Sequence, residues 1–239
     1  MTHTPFVRWL MAVLLCLAGL QASCVRRPAV EQVPPQAGRA PAVVLSEKER
    51  AEGFEPLFDG QSLTGWVIMG DAAGWAVRDG VIVSEGGKGG NWLRSQEQYA
   101  DFILRLEWKV SPNGNSGVFL RCPAAGDPWT TGHEVQVTNE PRDDLHCTGA
   151  LYGTVAVSPR PHEAADVWHT YEIRCVGPRI TVIADGQTCV DADADSVDAI
   201  RQKPRAGYIG LQDSHTGPGG MIEYRNVRIK RLLPQRGQR

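Results

Sequence analysis

Between Asp101 and Val110 the chain reads DFILRLEWKV, with Phe102, Leu104, Leu106, Trp108 and Val110 alternating with Arg105, Glu107 and Lys109. A period of two is the signature of a strand with one buried face. Shorter runs of the same kind recur. Trp75–Arg78 and Val81–Ser84 flank Asp79-Gly80, and Ile180–Ala184 and Gln187–Val190 flank Asp185-Gly186. Asp-Gly between alternating apolar runs predicts a tight hairpin, because both turn residues must adopt positive φ. Further strands are predicted over 116–121, 132–140, 168–175, 207–212 and 221–230. Only Ser46–Glu52 and Ser196–Gln202 carry helical character, and both are short. Many short strands separated by turn residues predict an all-β fold of antiparallel sheets, a sandwich or barrel. No repeat of propeller length is visible.

The ends of the chain read differently. Residues 1–24 carry Arg8, an apolar run from Trp9 to Leu20, then small residues before Cys24. That is the layout of an export signal, too short for a permanent span. Ala22-Ser23-Cys24 also suits lipoprotein processing, with Cys24 lipidated, although Gln21 stands where an aliphatic residue is usual. Cleavage near Ala22 or Ser23 with simple secretion is the alternative. Residues 25–52, rich in Pro, Ala and charge, read as a flexible tether. Residues 53–233 form the body and 234–239 a polar tail. The expected location is the periplasm or outer surface, on a membrane anchor. The net charge of −2 and scattered basic residues argue against nucleic acid as a partner.

Four cysteines lie in the body: Cys122, Cys147, Cys175 and Cys189. There is no CxxC pair, so a structural zinc site is not expected. Export permits disulfides, and Cys122–Cys147 is the favoured pair because both sit where strands give way to loops. Cys175 and Cys189 fall on the first and third strands of a meander, about 9–10 Å apart and beyond disulfide reach. They read as buried thiols.

Candidate chemistry concentrates on polar strand faces. Glu134 and Gln136 share one face of GHEVQVTNE, and His133 shares the other with Val135 and Val137. Arg105, Glu107 and Lys109, then Arg121, lie on preceding strands. If these strands are neighbours, one sheet carries a surface able to hold sugar hydroxyls. Charged rows in antiparallel sheets are more often solvated outer faces, and pattern alone favours that reading. G-x-S-x-G and Walker patterns are absent. No histidines show helical zinc spacing; no cofactor is expected, and a divalent metal stays open. Sandwich glucanases place their acids as E-x-D-x-E or E-x-D-x-x-E; here the middle acid is an amide, Gln136, and the second acid, Glu140, sits six residues on, which argues against the usual retaining displacement.

Several motifs taken in order carry a resemblance. They are Phe54–Gly60 with Leu63–Trp66, Trp75–Gly80, Tyr99–Phe102 with Glu107, Asn115–Arg121, Glu134-Val-Gln136, Gly149–Tyr152, Trp168–Tyr171, Gly207–Gln212 and Tyr224–Val227. Together they resemble the 3-keto-disaccharide hydrolase domain family across essentially the whole body. The resemblance implies a concanavalin A-like jelly-roll β-sandwich of two antiparallel sheets. It also implies a sugar-binding groove, which turns Glu134 and Gln136 toward a carbohydrate substrate, an oxidised disaccharide or glycoside. The family commonly has Asp-His-Gly after Leu-Gln, whereas here His215 follows Asp213 by two. The implied chemistry is base-catalysed elimination and hydration: Glu134 as base, His215 or His133 as acid, and Arg121 with Gln136 on the ketone or enolate. Glu107, Gln212 and Tyr152 would hold substrate hydroxyls. A non-catalytic, lectin-like surface lipoprotein and a structural surface protein are the alternatives.

Overall fold

The computed structural model describes residues 45–89 and 91–233. The signal, Cys24, most of the tether and the tail lie outside the described residues. The tether's end does not: Ser46 caps a short helix, α1 (Glu47–Glu52), in a capping box with Glu49. Glu49 reaches the body through Arg228 at 2.6 Å, and hydrogen bonding to that guanidinium helps hold its carboxyl down at about 2, against the opposing effect of burial.

Among the described residues thirteen strands follow. They begin with β1 (Glu55–Pro56), β2 (Trp66–Ile68), β3 (Trp75–Arg78), β4 (Val81–Glu85) and β5 (Trp92–Tyr99). Then come β6 (Phe102–Val110), β7 (Asn115–Cys122), a turn of helix α2 (Pro128–Thr131), and β8 (His133–Thr138). β9 (His169–Val176), β10 (Arg179–Ala184) and β11 (Gln187–Asp193) precede a second helical turn, α3 (Asp198–Arg201). β12 (Gly207–Gln212) and β13 (Met221–Arg231) complete the fold. The hairpins β3–β4 and β10–β11 turn on Asp79-Gly80 and Asp185-Gly186, all four at positive φ, as the sequence predicts.

Among the described residues all pairings are antiparallel, in two sheets. The larger has the spatial order β11-β10-β9-β6-β13-β4-β3, with β1 on β13; the smaller runs β2-β5-β12-β7-β8. The inner face of β6 is the one read from alternation: Phe102, Leu104, Leu106, Trp108 and Val110 are all buried in the core. Against them pack Val118, Leu120, Val135, Val137, Ile209 and Leu211 from the smaller sheet. Two tyrosines of the larger sheet cross the core to carbonyls of the smaller one. Tyr171 Oη donates to Gln136 O at 2.6 Å and Tyr224 Oη to Gly117 O at 3.0 Å, fixing the two strands that carry the site.

The structure corrects three expectations, the first through strand order. β6 does not neighbour β7; it lies between β9 and β13 in the other sheet. Glu107 therefore sits on the far outer face of the protein, bound by Arg225 Nε at 2.7 Å and Asn226 Nδ2 at 2.6 Å, and is not a hydroxyl ligand in the groove. Arg121 breaks the alternation of β7 because its backbone is left-handed, at φ 53°. Its side chain, wholly buried, donates to Ala100 O, Gly177 O and Asp101 Oδ1 at 2.8, 2.9 and 3.2 Å. It ties two interstrand turns together instead of facing a ketone. Arg121→Ala should lower the unfolding free energy by about 2–4 kcal/mol, since it empties a wholly buried site and removes the hydrogen bonds to two carbonyls and to the partly buried Asp101 carboxylate. Urea denaturation reads the loss; a selective fall in substrate affinity with unchanged stability would restore Arg121 to the site.

The third correction is the disulfide. Cys122 joins Trp92 and Phe119 in a small apolar cluster, its Sγ 3.5 Å from Pro128 O, whereas Cys147 belongs to the main core. Both are free thiols, as are Cys175 and Cys189.

Candidate functional site

The site lies on the outer face of the smaller sheet. Register places Gly117 opposite Gln136 and Phe119 opposite Glu134, so Asn115, Gly117, Phe119, Glu134 and Gln136 share that face. The adjacent strand adds Gln212. Beyond β8 the segment 149–152 runs along its open edge, with Tyr152 N donating to Glu134 O and Gly149 N to Gln136 O, both at 2.9 Å. That pairing brings Tyr152 beside Glu134. The turn α2, entered through Asp127-Pro128, raises Trp129 over the same place.

The result is a cavity of about 260 Å³ lined by Asn115, Trp129, Glu134, Gln136, Tyr152, Gln212 and His215. Glu134 is 5 % exposed. Burial pushes its carboxyl up to about 8, and the positive charges of Lys203 and Arg142 only partly oppose this. Gln136 can turn its amide to donate to Glu134 Oε1 at 3.1 Å and to Ser116 O at 3.0 Å. The carboxylate lies directly over Gly117, where a Cβ would stand 2.4 Å from Oε1. Lys203 Nζ donates to Gly132 O at 2.5 Å, holding the turn that precedes Glu134.

Sequence-predicted residues divide cleanly. Glu134, Gln136, Gln212, Tyr152 and His215 meet in this cavity. His133 does not: it faces inward beside Val135 and Val137, and its ring is 2 % exposed. Burial, then Lys203, Arg121 and Arg205, press its pKa down to about 3, so it is a neutral buried ring, not an acid facing substrate. Two lining residues escaped the sequence reading. Asn115 could have been found from its spacing to Gly117 on one strand face. Trp129 sits in an irregular stretch, where pattern gives no direction. Among the described residues no group of three or more His, Cys, Asp or Glu is placed to hold a metal ion.

A sandwich of two antiparallel sheets, with a polar cavity on the outer face of one, is the architecture of the concanavalin A-like class. A solved structure from Parabacteroides distasonis ATCC 8503, provisionally described as a glycosyl hydrolase, matches with a TM-score of 0.70 at 24% identity, covering 81% of this chain and 100% of that one. A second from the same organism, described likewise, gives 0.58 at 26% identity over 75% of this chain and 84% of its own. The exoplasmic/lumenal domain of VIP36 shares the fold at 0.51, with 11% identity, over 78% and 93% of the two chains. Residues 53–230 match the 3-keto-alpha-glucoside-1,2-lyase-like domain, and the chain belongs to that family. A 3-keto-disaccharide hydrolase of Bacteroides thetaiotaomicron is 35% identical over 95 residues, which cover 36% of this chain and 33% of that protein. The chain thus spans about a third of that relative's length.

Proposed function

We propose that this protein cleaves 3-keto-glucosides by elimination and hydration, with Glu134 as the base. The observation that carries the reading is a single buried carboxylate, raised to about 8, in a cavity whose other lining groups are amides, rings and one imidazole. A double displacement needs two carboxylates across the bond. An α-proton beside a ketone needs one base, one acid and donors for the enolate.

Glu134, held by the amide of Gln136, takes the proton from carbon 2, and the C–H electrons pass into an enolate stabilised by the amide N–H of Asn115. The enolate collapses to a carbon 1–carbon 2 double bond and the bond from carbon 1 to the glycosidic oxygen breaks. His215, at the exposed rim, gives the leaving oxygen its proton. Water then adds its hydroxyl at carbon 1 and gives its proton to the deprotonated His215, while Glu134, whose proton has exchanged with solvent, protonates carbon 2, so both residues are restored and the net change is hydrolysis. Tyr152 and Gln212 hold hydroxyls of the ketosugar. Export on an N-terminal lipid anchor would place this activity at the cell envelope, in keeping with the signal-like residues 1–24.

Incubating the purified protein with a 3-keto-α-glucosyl disaccharide and with its unoxidised parent tests the reading. Release of sugar is expected from the keto substrate alone, with deuterium from heavy water appearing at carbon 2 of the product. Release from both without exchange would point to ordinary hydrolysis. Binding without release would leave the lectin-like alternative.

A further inference from the structure

A second compartment of about 420 Å³ opens beside the first. The two share Trp129, Gln212 and His215, so they form one cleft with a junction at the imidazole. Glu134 lines only the first. The second has an aromatic floor and a polar end. Trp92 and Phe119 meet edge to face at 5.6 Å and lie across the backbone of β12, where a Cβ on Gly210 would stand 2.4 Å from Trp92 and 2.9 Å from Phe119. The floor is therefore built around a glycine and is preformed. Above it stands Trp129, 46 % exposed, one of few large apolar side chains left open to solvent. At the end sits Asp213, 8 % exposed, with Oδ2 accepting from Asn91 N at 2.9 Å. Its Oδ1 accepts no hydrogen bond among the described residues.

We infer that this compartment is the leaving-group subsite and takes a second pyranose ring, stacked on Trp129 and held at two of its hydroxyls by Asp213. The inference rests on the elimination reading, which puts the proton donor for the leaving oxygen at His215; the group that departs must then lie on the far side of that ring from Glu134. Aromatic walls alone would suit a sugar or an aryl group. The Asp213 carboxylate that lines the compartment decides between them, because it can accept from hydroxyls, which a sugar supplies and a bare aryl ring does not. Burial holds the Asp213 carboxyl above its usual range, with the charge of His215 acting against this.

The test compares two substrates that share the ketosugar and need the same proton on the leaving oxygen. One is a 3-keto-α-glucosyl disaccharide; the other is methyl 3-keto-α-glucoside, which leaves the compartment empty. The wild type should favour the disaccharide in kcat/KM by tenfold or more. Ala125→Trp fills the compartment from an exposed loop, and Asp213→Asn removes the charge while keeping the shape. Each should reduce kcat/KM for the disaccharide at least fivefold more than for the methyl glycoside. Equal losses on both substrates, or no loss on the disaccharide, would overturn the subsite while leaving the chemistry standing. A wild type inert toward both would overturn the elimination reading, and the subsite with it.

Discussion

Glu134→Gln is expected to lower kcat/KM for a 3-keto-glucoside by about 10²–10⁴-fold, the usual worth of a positioned general base. The change is nearly isosteric, and the site is already rich in amides that accept such a neighbour. Two further readouts separate lost chemistry from lost fold. The first is the pH profile. The wild-type base must be ionised in the free enzyme, so kcat/KM should carry an acid limb set by Glu134 with a midpoint near 8, once uncatalysed elimination is subtracted. Glu134→Gln should lose that limb. The second is stability. The folded carboxyl titrates near 8 and the unfolded one near about 4.3. Between those values the native state keeps a proton that the unfolded state has released. Its contribution is therefore most favourable below the unfolded value and declines as pH rises to about 8. Gln has no such dependence. The Tm of Glu134→Gln should match the wild type near pH 5 and exceed it near pH 8.5. A variant less stable than wild type at high pH would mean that the ionised carboxylate is stabilised in the fold, contrary to its burial.

The same carboxylate shows where pattern suffices and where it stops. Alternation identifies the partners of Glu134 on its own strand, because side chains at i and i+2 cannot avoid sharing a face. It also identifies the core row from Phe102 to Val110, because one-sided burial leaves no other register. Alternation does not say which strands are neighbours. β6 and β7 follow each other in the chain yet enter different sheets, which is why Glu107 looks like a partner of Glu134 and is not one. Nor does alternation survive a residue at positive φ: Arg121, counted in phase with Phe119, turns inward through a single left-handed backbone. β5 lies outside the predicted strands, because Arg94-Ser95-Gln96-Glu97-Gln98 is polar throughout and carries no alternation. It is paired on both sides, by β2 and β12, and sheet pairing overrides its weak propensity. The ordered motifs of the resemblance carry the fold where single residues do not.

Gly117→Ala is expected to lower kcat about 10²-fold with little loss of fold. Gly117 lies in a regular part of β7, opposite Gln136, and its backbone is one any residue can adopt. Strand propensity would favour alanine over glycine there. The penalty comes from above: the added Cβ would stand 2.4 Å from Glu134 Oε1, 2.9 Å from Cγ and 3.0 Å from Cδ. Close-packed neighbours leave the glutamate little room, because Phe119 lies opposite it across the strand pair and Tyr152 is bonded to its carbonyl. The carboxylate must move by an ångström or more, and a displacement of that size is enough to cost about 10²-fold when the reacting atoms have to be in line. If Gly117 acts only by giving Glu134 its place, the losses will not add: Gly117→Ala with Glu134→Gln should be no slower than Glu134→Gln alone. Glu134→Asp in the Gly117→Ala background supplies the converse measurement, since a shorter acid fits beneath the methyl. It should be less impaired, relative to its parent, than Glu134→Asp is in the wild type. Additive losses would instead place Gly117 in contact with the substrate itself, as a patch of open backbone on the floor of the cavity.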